Sequence, residues 1–511
     1  MGSMVITDVK FLIFTAVLLL VYWYLPTRFQ WMWLLAGSLV FFFINSRPYT
    51  FIYMVAAVMA VYLATSVFEK YPDDKKKKKG AFLGALFLNL IFLAVLKYVN
   101  LGVHTVNSVS GLFGRGGIFP DIHIAAPLAI SFYTMSLLSY LIDCYMGYKD
   151  IEKNPFKVLL FVCYYPLMVS GPMSRYKDLG KKLFEEHRFD YDRVTRGIRR
   201  CGWGFAKKLV VADRLSIPVD SMFSNNAEFP GLWALLMPMI YSVQLYFDFS
   251  GCMDIVLGIS ECFGITLTEN FRAPFFSRTL QEFWQRWHIA LGTWLNDYIL
   301  FPLLKTGPFK NLKTKCKDRF GKEGARIATF PALFILWSVM GLWHGDSWKY
   351  ILGEGWWYFL VIVTGQAFAP QFKKLKTRLH IKDENPVWIA FQTVRTYIFF
   401  SIGMLFFRAA DYPAGLELFA SFFRKGDLIG SAKKLKDLAW DEFGGIYVLT
   451  VVLVLIVIQL VLDYREYHKI PNDTLITKKP AVVRWGLYFA LAYVIIRFGA
   501  FGVSSFIYFG F

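Results

Sequence analysis

The sequence has little charge and no paired cysteines, and both shortages restrict what the protein can be. Only 18% of its 511 residues are charged, against about 25% in ordinary soluble domains. Its six cysteines form no CxxC pair, so nothing indicates a disulfide framework or a cysteine zinc site. A GxSxG segment and an HxxxH pair are also missing, so neither a serine hydrolase nor a histidine-ligated metal site is indicated.

Internal repeats of the transporter kind and a soluble domain of useful size are missing as well. We interpret residues 1–3 as an expression remnant and residues 4–511 as a single membrane domain, with its catalytic part at about 125–410.

What the sequence has in excess is apolar residues, 56% of the chain, arranged in blocks. The blocks lie near 9–25, 31–46, 51–68, 81–99, 124–146, 156–172, 232–263, 327–343, 355–370, 388–407, 446–462 and 484–502. A spanning helix needs about 20 residues. The pattern predicts an all-α, polytopic membrane protein with about 11–14 membrane helices, some of them re-entrant. Block 156–172, with Pro166 and Gly171, predicts a bent element; block 232–263 fits one long helix or two pieces.

Basic residues cluster between the blocks and give a formal net charge of +19. The positive-inside rule explains them without a nucleic-acid partner and places Lys75–Lys79, 175–214 and 305–326 in the cytoplasm. The N-terminus and a loop at 100–123 are then expected outside.

Ionisable residues in or beside apolar blocks are functional candidates because they are costly at membrane depth. They are Asp143, Asp248, Asp254, His288, Asp297, His344 and Arg408. Asp248 and Asp254 do not share a helical face, and they could pair with arginines or cap a broken helix.

His288 lies in the segment FWQRWHIALGTWLNDY, residues 283–298. Thr279 and Glu282 have capping-box spacing, which predicts one helix from about 280 to 300 with a face formed by Trp284, Trp287, His288, Leu291 and Leu295. A buried core histidine and a functional one both fit this pattern.

The second histidine, His344, follows Trp343 in GLWHG, where Gly341 and Gly345 allow a close approach of backbone or substrate. With metal and nucleophile motifs missing, the remaining chemistry is a histidine general base acting on a substrate hydroxyl. Beyond GLWHG the chain reads DSWKYILGEGWW, so Asp346 and Glu354 add acidic residues near His344.

Seven segments together resemble the membrane-bound O-acyltransferase family, and most closely its bacterial branch of polysaccharide O-acetyltransferases, the alginate type. They are AISFYTMSLLSYLIDCYMG (129–147), YYPLMVSGPMSRY (164–176), RGIRRCGWGFAKKLVVADRL (196–215), YSVQLYFDFSG (241–251), 269–303, GLWHG (341–345) and LFFRA (405–409). The resemblance implies a membrane tunnel that takes an acyl thioester from the cytoplasm and an acceptor hydroxyl from outside. It implies His344 and His288 as catalytic residues, without a metal or bound cofactor.

The resemblance further implies a bacterial cell membrane, a donor such as acetyl-CoA or an acyl carrier protein, a polysaccharide acceptor and an extracytoplasmic acetyltransferase partner. We expect substrate-binding or tunnel-lining roles for Trp284, Trp287, Trp343, Asp248, Asn296 and Asp297. The candidate oxyanion donors are Trp343, Asn296 or a backbone N–H of the tunnel. A D-alanyl transferase of teichoic acid synthesis is the nearest alternative. A transporter, which should show inverted repeats, and a non-catalytic scaffold are less favoured.

Overall fold

The protein is all-α in its computed structural model, which describes residues 4–114, 117–148, 150–472 and 474–502. Among these residues the only β-pairing is one isolated bridge, between Phe271 and Trp287. The predicted expression remnant, residues 1–3, lies outside the described residues. The all-α prediction is therefore confirmed for the described part of the chain.

Two compact units make up the described chain. The first runs from its first described residue to Phe205 and includes Cys252–Glu269. Its helices are α1 (Val9–Tyr24), α2 (Thr27–Asn45), α3 (Phe51–Lys70), α4 (Lys75–Leu112), α5 (Ile130–Tyr145), α6 (Pro155–Cys163), α7 (Tyr165–Ser170), α8 (Tyr176–Phe184) and α9 (Tyr191–Phe205).

The second unit comprises Ala206–Gly251 and the described chain from Asn270 onward. Its helices are α10 (Asp213–Ser224), the first part of α11 (Leu232–Cys262), α12 (Leu280–Arg286), α13 (Ile289–Leu295), α14 (Phe301–Lys305), α15 (Gly307–Phe320), α16 (Gly324–Ile327), α17 (Phe330–His344), α18 (Trp356–Ala367), α19 (Ala369–Arg378), α20 (Pro386–Arg408), α21 (Tyr412–Ser421), α22 (Leu428–Phe443), α23 (Gly445–Tyr467), α24 (Thr474–Thr477) and α25 (Ala481–Phe498). Three π-helical turns, Ala206–Ala212, Asn296–Leu300 and Lys349–Gly355, interrupt the regular helices.

Eight helical stretches among the described residues are long and apolar enough to cross a membrane. They are Thr27–Asn45, Pro48–Lys70, Lys75–Leu112, Leu232–Cys262, Gly307–His344, Pro386–Arg408, Gly445–Tyr467 and Ala481–Phe498, with the shorter apolar stretches Val9–Tyr24 and Pro155–Ser170 beside them. The polytopic class is confirmed. The total of 11–14 segments, their re-entrance and the outside position of the N-terminus stay predictions.

Three local features refine the sequence interpretation. Block 232–263 is one helix with Pro238 inside it, and block 156–172 bends at Tyr164, the residue between α6 and α7. The expected loop at 100–123 is partly wrong, because α4 continues to Leu112. Polar residues end an apolar block without ending a helix, and residues 100–112 contain no proline that would break it.

Candidate active site

The chain around His288 is a break between two short helices and not one continuous helix. Thr279 caps α12 as predicted, since its hydroxyl accepts from the Glu282 N–H at 3.1 Å. The helix then ends at Arg286, Trp287 is extended, and His288 adopts a left-handed conformation with φ 49° and ψ 49°. The predicted helix from about 280 to 300, and the shared face argued from it, are therefore wrong.

An antiparallel pairing with the preceding segment holds this break in place. The Arg272 N–H donates to the Arg286 carbonyl at 3.0 Å, and the Ile289 N–H donates to the Asn270 carbonyl at 3.0 Å. These long-range bonds satisfy backbone groups that a continuous helix would have satisfied internally. A non-glycine residue in the left-handed region costs on the order of 1–3 kcal/mol, and such strain tends to occur at functional sites.

The imidazole of His288 is 2% exposed and has a polar contact on one side. Its Nδ1 lies 3.4 Å from the side-chain oxygen of Asn270, which also accepts from the Ala290 N–H at 3.0 Å. The Phe249 ring meets the imidazole edge-on at 4.9 Å between centroids. One amide side chain thus orients His288 and caps the start of α13.

His344 is the last residue of α17, and it is also 2% exposed. Its Nδ1 lies 2.9 Å from Oε2 of Glu354, a side chain that is 1% exposed. The Phe407 ring lies edge-on to the imidazole at 5.5 Å. This histidine therefore has a buried carboxylate as its neighbour, whereas His288 has a neutral amide.

Trp343 is the residue that the two histidines share. Its ring centroid lies 5.6 Å from that of His288 and 5.2 Å from that of His344, with an interplanar angle of 62° in both cases. The two imidazoles, 56 positions apart in sequence, therefore meet one indole ring within the second unit. Trp343 itself is 5% exposed.

The other two predicted tryptophans lie in the aromatic packing beside this site. Trp287 is 2% exposed and packs on Phe271 and Phe400, with ring centroids 5.0 Å away in each case. Trp284 is half-buried and contacts Tyr358 at 4.9 Å. Both tryptophans are therefore packed against other aromatic rings beside the two histidines.

Comparison with known proteins identifies the kind of molecule that carries this site. The family model for membrane-bound O-acyltransferases matches residues 152–407, half of the chain. The chain belongs to the membrane-bound O-acyltransferase family. The resemblance noted in the sequence is confirmed, and the protein is an O-acyltransferase with several membrane-spanning helices.

Three relatives show which members of the membrane-bound O-acyltransferase family it resembles. It is 29% identical over 479 residues to the "Probable alginate O-acetylase" of Pseudomonas aeruginosa, covering 93% of this chain and 83% of that protein. It is 25% identical over 416 residues to a peptidoglycan O-acetyltransferase of Helicobacter pylori, covering 76% and 73%. A teichoic acid D-alanyltransferase of Bacillus subtilis is 27% identical over 258 residues, covering 50% and 62%.

Asp248, a predicted substrate-binding residue of this O-acyltransferase, lies in a buried ion cluster. The ammonium of Lys208 is 2.7 Å from Asp248 and 2.6 Å from Asp213, and all three side chains are at most 3% exposed. The cation that pairs with Asp248 is thus a lysine and not an arginine. Asp254 does pair with an arginine, one of the two possibilities considered for it, because Arg200 contacts it at 2.9 Å.

The remaining predicted residues have less distinctive positions. Asn296 and Asp297 are half-buried at the start of the π-helical turn Asn296–Leu300. Arg408 ends α20 and forms an ion pair with Asp220 at 2.6 Å, and Asp143 is buried in α5 of the first unit. A role in substrate binding stays a prediction for Asn296 and Asp297.

Sequence reasoning missed Asn270, Lys208 and Asp213, and it left Glu354 without a role. No spacing rule connects Asn270 to His288, because an antiparallel bridge brings them together. Lys208 and Asp213 lie inside a motif that was used for family resemblance, and their charge in an apolar stretch was the available signal. Glu354 is likewise a charged residue beside an apolar stretch, at the edge of block 355–370, so the same signal was available for it.

Proposed function

We propose that the protein transfers an acetyl group from a cytoplasmic thioester to a hydroxyl acceptor, for modification of a polysaccharide of the cell envelope. The names of its relatives support the reaction class, because the more extensive matches are an alginate O-acetylase and a peptidoglycan O-acetyltransferase. The observation that carries the proposal is the pair of buried imidazoles, His288 and His344, against the single ring of Trp343. The proposed donor is acetyl-CoA, reaching the site through a tunnel from the cytoplasm.

In the proposed mechanism His344 is the general base. Its Nε2 accepts the proton of the acceptor hydroxyl while that oxygen attacks the thioester carbonyl carbon. The tetrahedral intermediate then collapses, the carbon–sulfur bond breaks, and the imidazolium returns the proton to the departing thiolate. The products are an acetyl ester and free coenzyme A, so atoms and charges balance without a metal. His288, which also contacts Trp343, orients the reactants.

Burial of the site supports this chemistry physically. Both imidazoles are 2% exposed, and aromatic rings surround them, so water is kept from the reacting atoms. A dry and rigid site aligns donor and acceptor, which is worth several kcal/mol of the barrier, and it limits hydrolysis of the thioester. An extracytoplasmic partner would then pass the acetyl group on to the polysaccharide.

The test is turnover of radiolabelled acetyl-CoA by the purified protein in detergent. We expect His344→Ala to reduce transfer and release of label by about 10²–10⁴-fold, the usual contribution of a general base. His380→Asn is the matched control, because His380 is exposed and should be replaceable without loss. Equal turnover by native protein and His344→Ala would refute the role of His344.

D-alanyl transfer from a carrier protein is the alternative that the Bacillus subtilis relative suggests. An exposed basic helix, α15, carries Lys310, Lys313, Lys315 and Lys317, and it could attract an acidic carrier protein electrostatically. If the native protein does not turn over acetyl-CoA but uses a D-alanyl carrier protein, the alternative replaces the first proposal. Turnover of acetyl-CoA without any carrier protein would exclude the alternative.

A further inference from the structure

Glu354 is a carboxylate buried in an apolar region, beside one of the two histidines. Its side chain is 1% exposed, and Oε2 lies 2.9 Å from Nδ1 of His344. Moving a carboxylate out of water costs several kcal/mol unless a partner compensates for it. A carboxylate at such a position is therefore expected to interact favourably with the group that it contacts.

The local fold is built to bring the Glu354 turn against the end of α17. A Cβ added at Gly341 would collide with the backbone of Tyr350 and Ile351, and one added at Gly355 would lie 2.5 Å from the Trp337 carbonyl oxygen. A Cβ at Gly345 would collide with the Tyr350 ring. Glycine on both elements thus permits backbone-to-backbone packing that a larger residue would prevent.

The two histidines differ in the acceptor that faces Nδ1. For His288 it is the neutral amide oxygen of Asn270 at 3.4 Å, and for His344 it is the carboxylate of Glu354 at 2.9 Å. Only the carboxylate supplies a negative charge, and at this ion-pair distance it stabilises the imidazolium that forms when Nε2 takes a proton.

We propose that Glu354 is the positioning residue of His344, and that its carboxylate stabilises the charged form of this imidazole during acyl transfer. This inference rests on the proposed role of His344 as base, and it also explains why His344, and not His288, takes the proton. Carboxylates that orient a reactive imidazole commonly contribute several orders of magnitude to the rate.

The test compares Glu354→Gln and Glu354→Ala with native protein in the acetyl-CoA turnover assay, after melting temperatures establish folding. We expect Glu354→Gln, which keeps the volume of the side chain, to lower kcat by about 10²–10⁴-fold with KM for acetyl-CoA changed less than about threefold. Asp346→Asn is the matched control, because Asp346 is exposed on the loop after His344, and it should keep native kcat.

Chemical rescue separates a charge effect from a packing effect. Formate should restore part of the kcat of Glu354→Ala, whereas formamide, which has a similar size but no charge, should not. A Glu354→Gln protein with native kcat, or equal rescue by the two compounds, would overturn the inference. Loss of folding in both variants would also overturn it, because the carboxylate would then be required for the fold.

The same assay keeps this inference separate from the proposed function. If His344→Ala is inactive while Glu354→Gln keeps native kcat, the proposed base survives and the role of Glu354 fails. If His344→Ala keeps native turnover, the proposed base itself fails, and Glu354 then has no histidine to position.

Discussion

Replacing Lys208 by methionine should destabilise the protein strongly, because two buried carboxylates share its ammonium. The two contact distances, to Asp213 and Asp248, are 2.6 and 2.7 Å. At an effective dielectric constant of about 20, one such contact is worth ~6 kcal/mol of Coulomb energy, much of which offsets desolvation. Removing one partner of a buried pair costs about 3–5 kcal/mol. We expect a loss of this size for Lys208→Met.

The assay is thermal or denaturant unfolding of the detergent-purified protein, with an exposed lysine as control. Lys313→Met, on the exposed side of α15, should change the free energy of unfolding by at most about 0.5 kcal/mol. The triple variant Lys208→Met, Asp213→Asn, Asp248→Asn should regain most of the loss, since the ammonium and the two carboxylates that face it are removed together. Native stability of Lys208→Met, or a triple variant no better than the single one, would refute the reasoning.

Two further predictions concern the segment after His344. Gly345→Ala should lower kcat at least about tenfold, because the added Cβ would displace the Tyr350 ring. Gly365→Ala is the control and should keep native kcat, because nothing lies within 4 Å of its added Cβ. Equal kcat in the two variants would contradict the prediction. Burial and the neighbouring Arg408 lower the pKa of Lys349 to about 8. Above pH 8 the folded protein therefore loses this proton while the unfolded chain still binds it, so the free energy of unfolding rises from pH 8 toward about pH 10. The melting temperature relative to Lys349→Met should therefore increase over that range, and a constant or falling difference would contradict it.

The sequence was sufficient for features that depend on local pattern. Apolar blocks predicted the helices, Pro166 predicted the bend near Tyr164, and the Thr279 cap was correct. Both imidazoles were identified as candidates because they lie in apolar surroundings, and each has a tryptophan directly before it.

Features that depend on distant chain segments could not be predicted. Periodicity favoured a continuous helix through His288, but the pairing with residues 270–272 overrode it. The Glu354 contact required a π-helical turn and glycine packing, which shift a side chain away from any simple helical spacing. The lysine partner of Asp248 lies 40 positions earlier in the chain, so spacing rules carried no information about it.

Asn270 provides a final test of how His288 is held. Its side-chain oxygen serves the Ala290 N–H at 3.0 Å and the His288 ring at 3.4 Å, and His288 itself provides no side-chain cap for α13. Asn270→Ala removes both contacts, so we expect a loss of about 0.5–2 kcal/mol in stability and a lower kcat. Asn270→Asp keeps an acceptor oxygen in the same place, but it buries a carboxylate where the native side chain is 1% exposed, so we expect it to lose stability as well. If Asn270→Ala keeps native kcat, the orientation of His288 does not depend on this amide, and the left-handed backbone together with ring packing on Phe249 and Trp343 is sufficient to orient the imidazole.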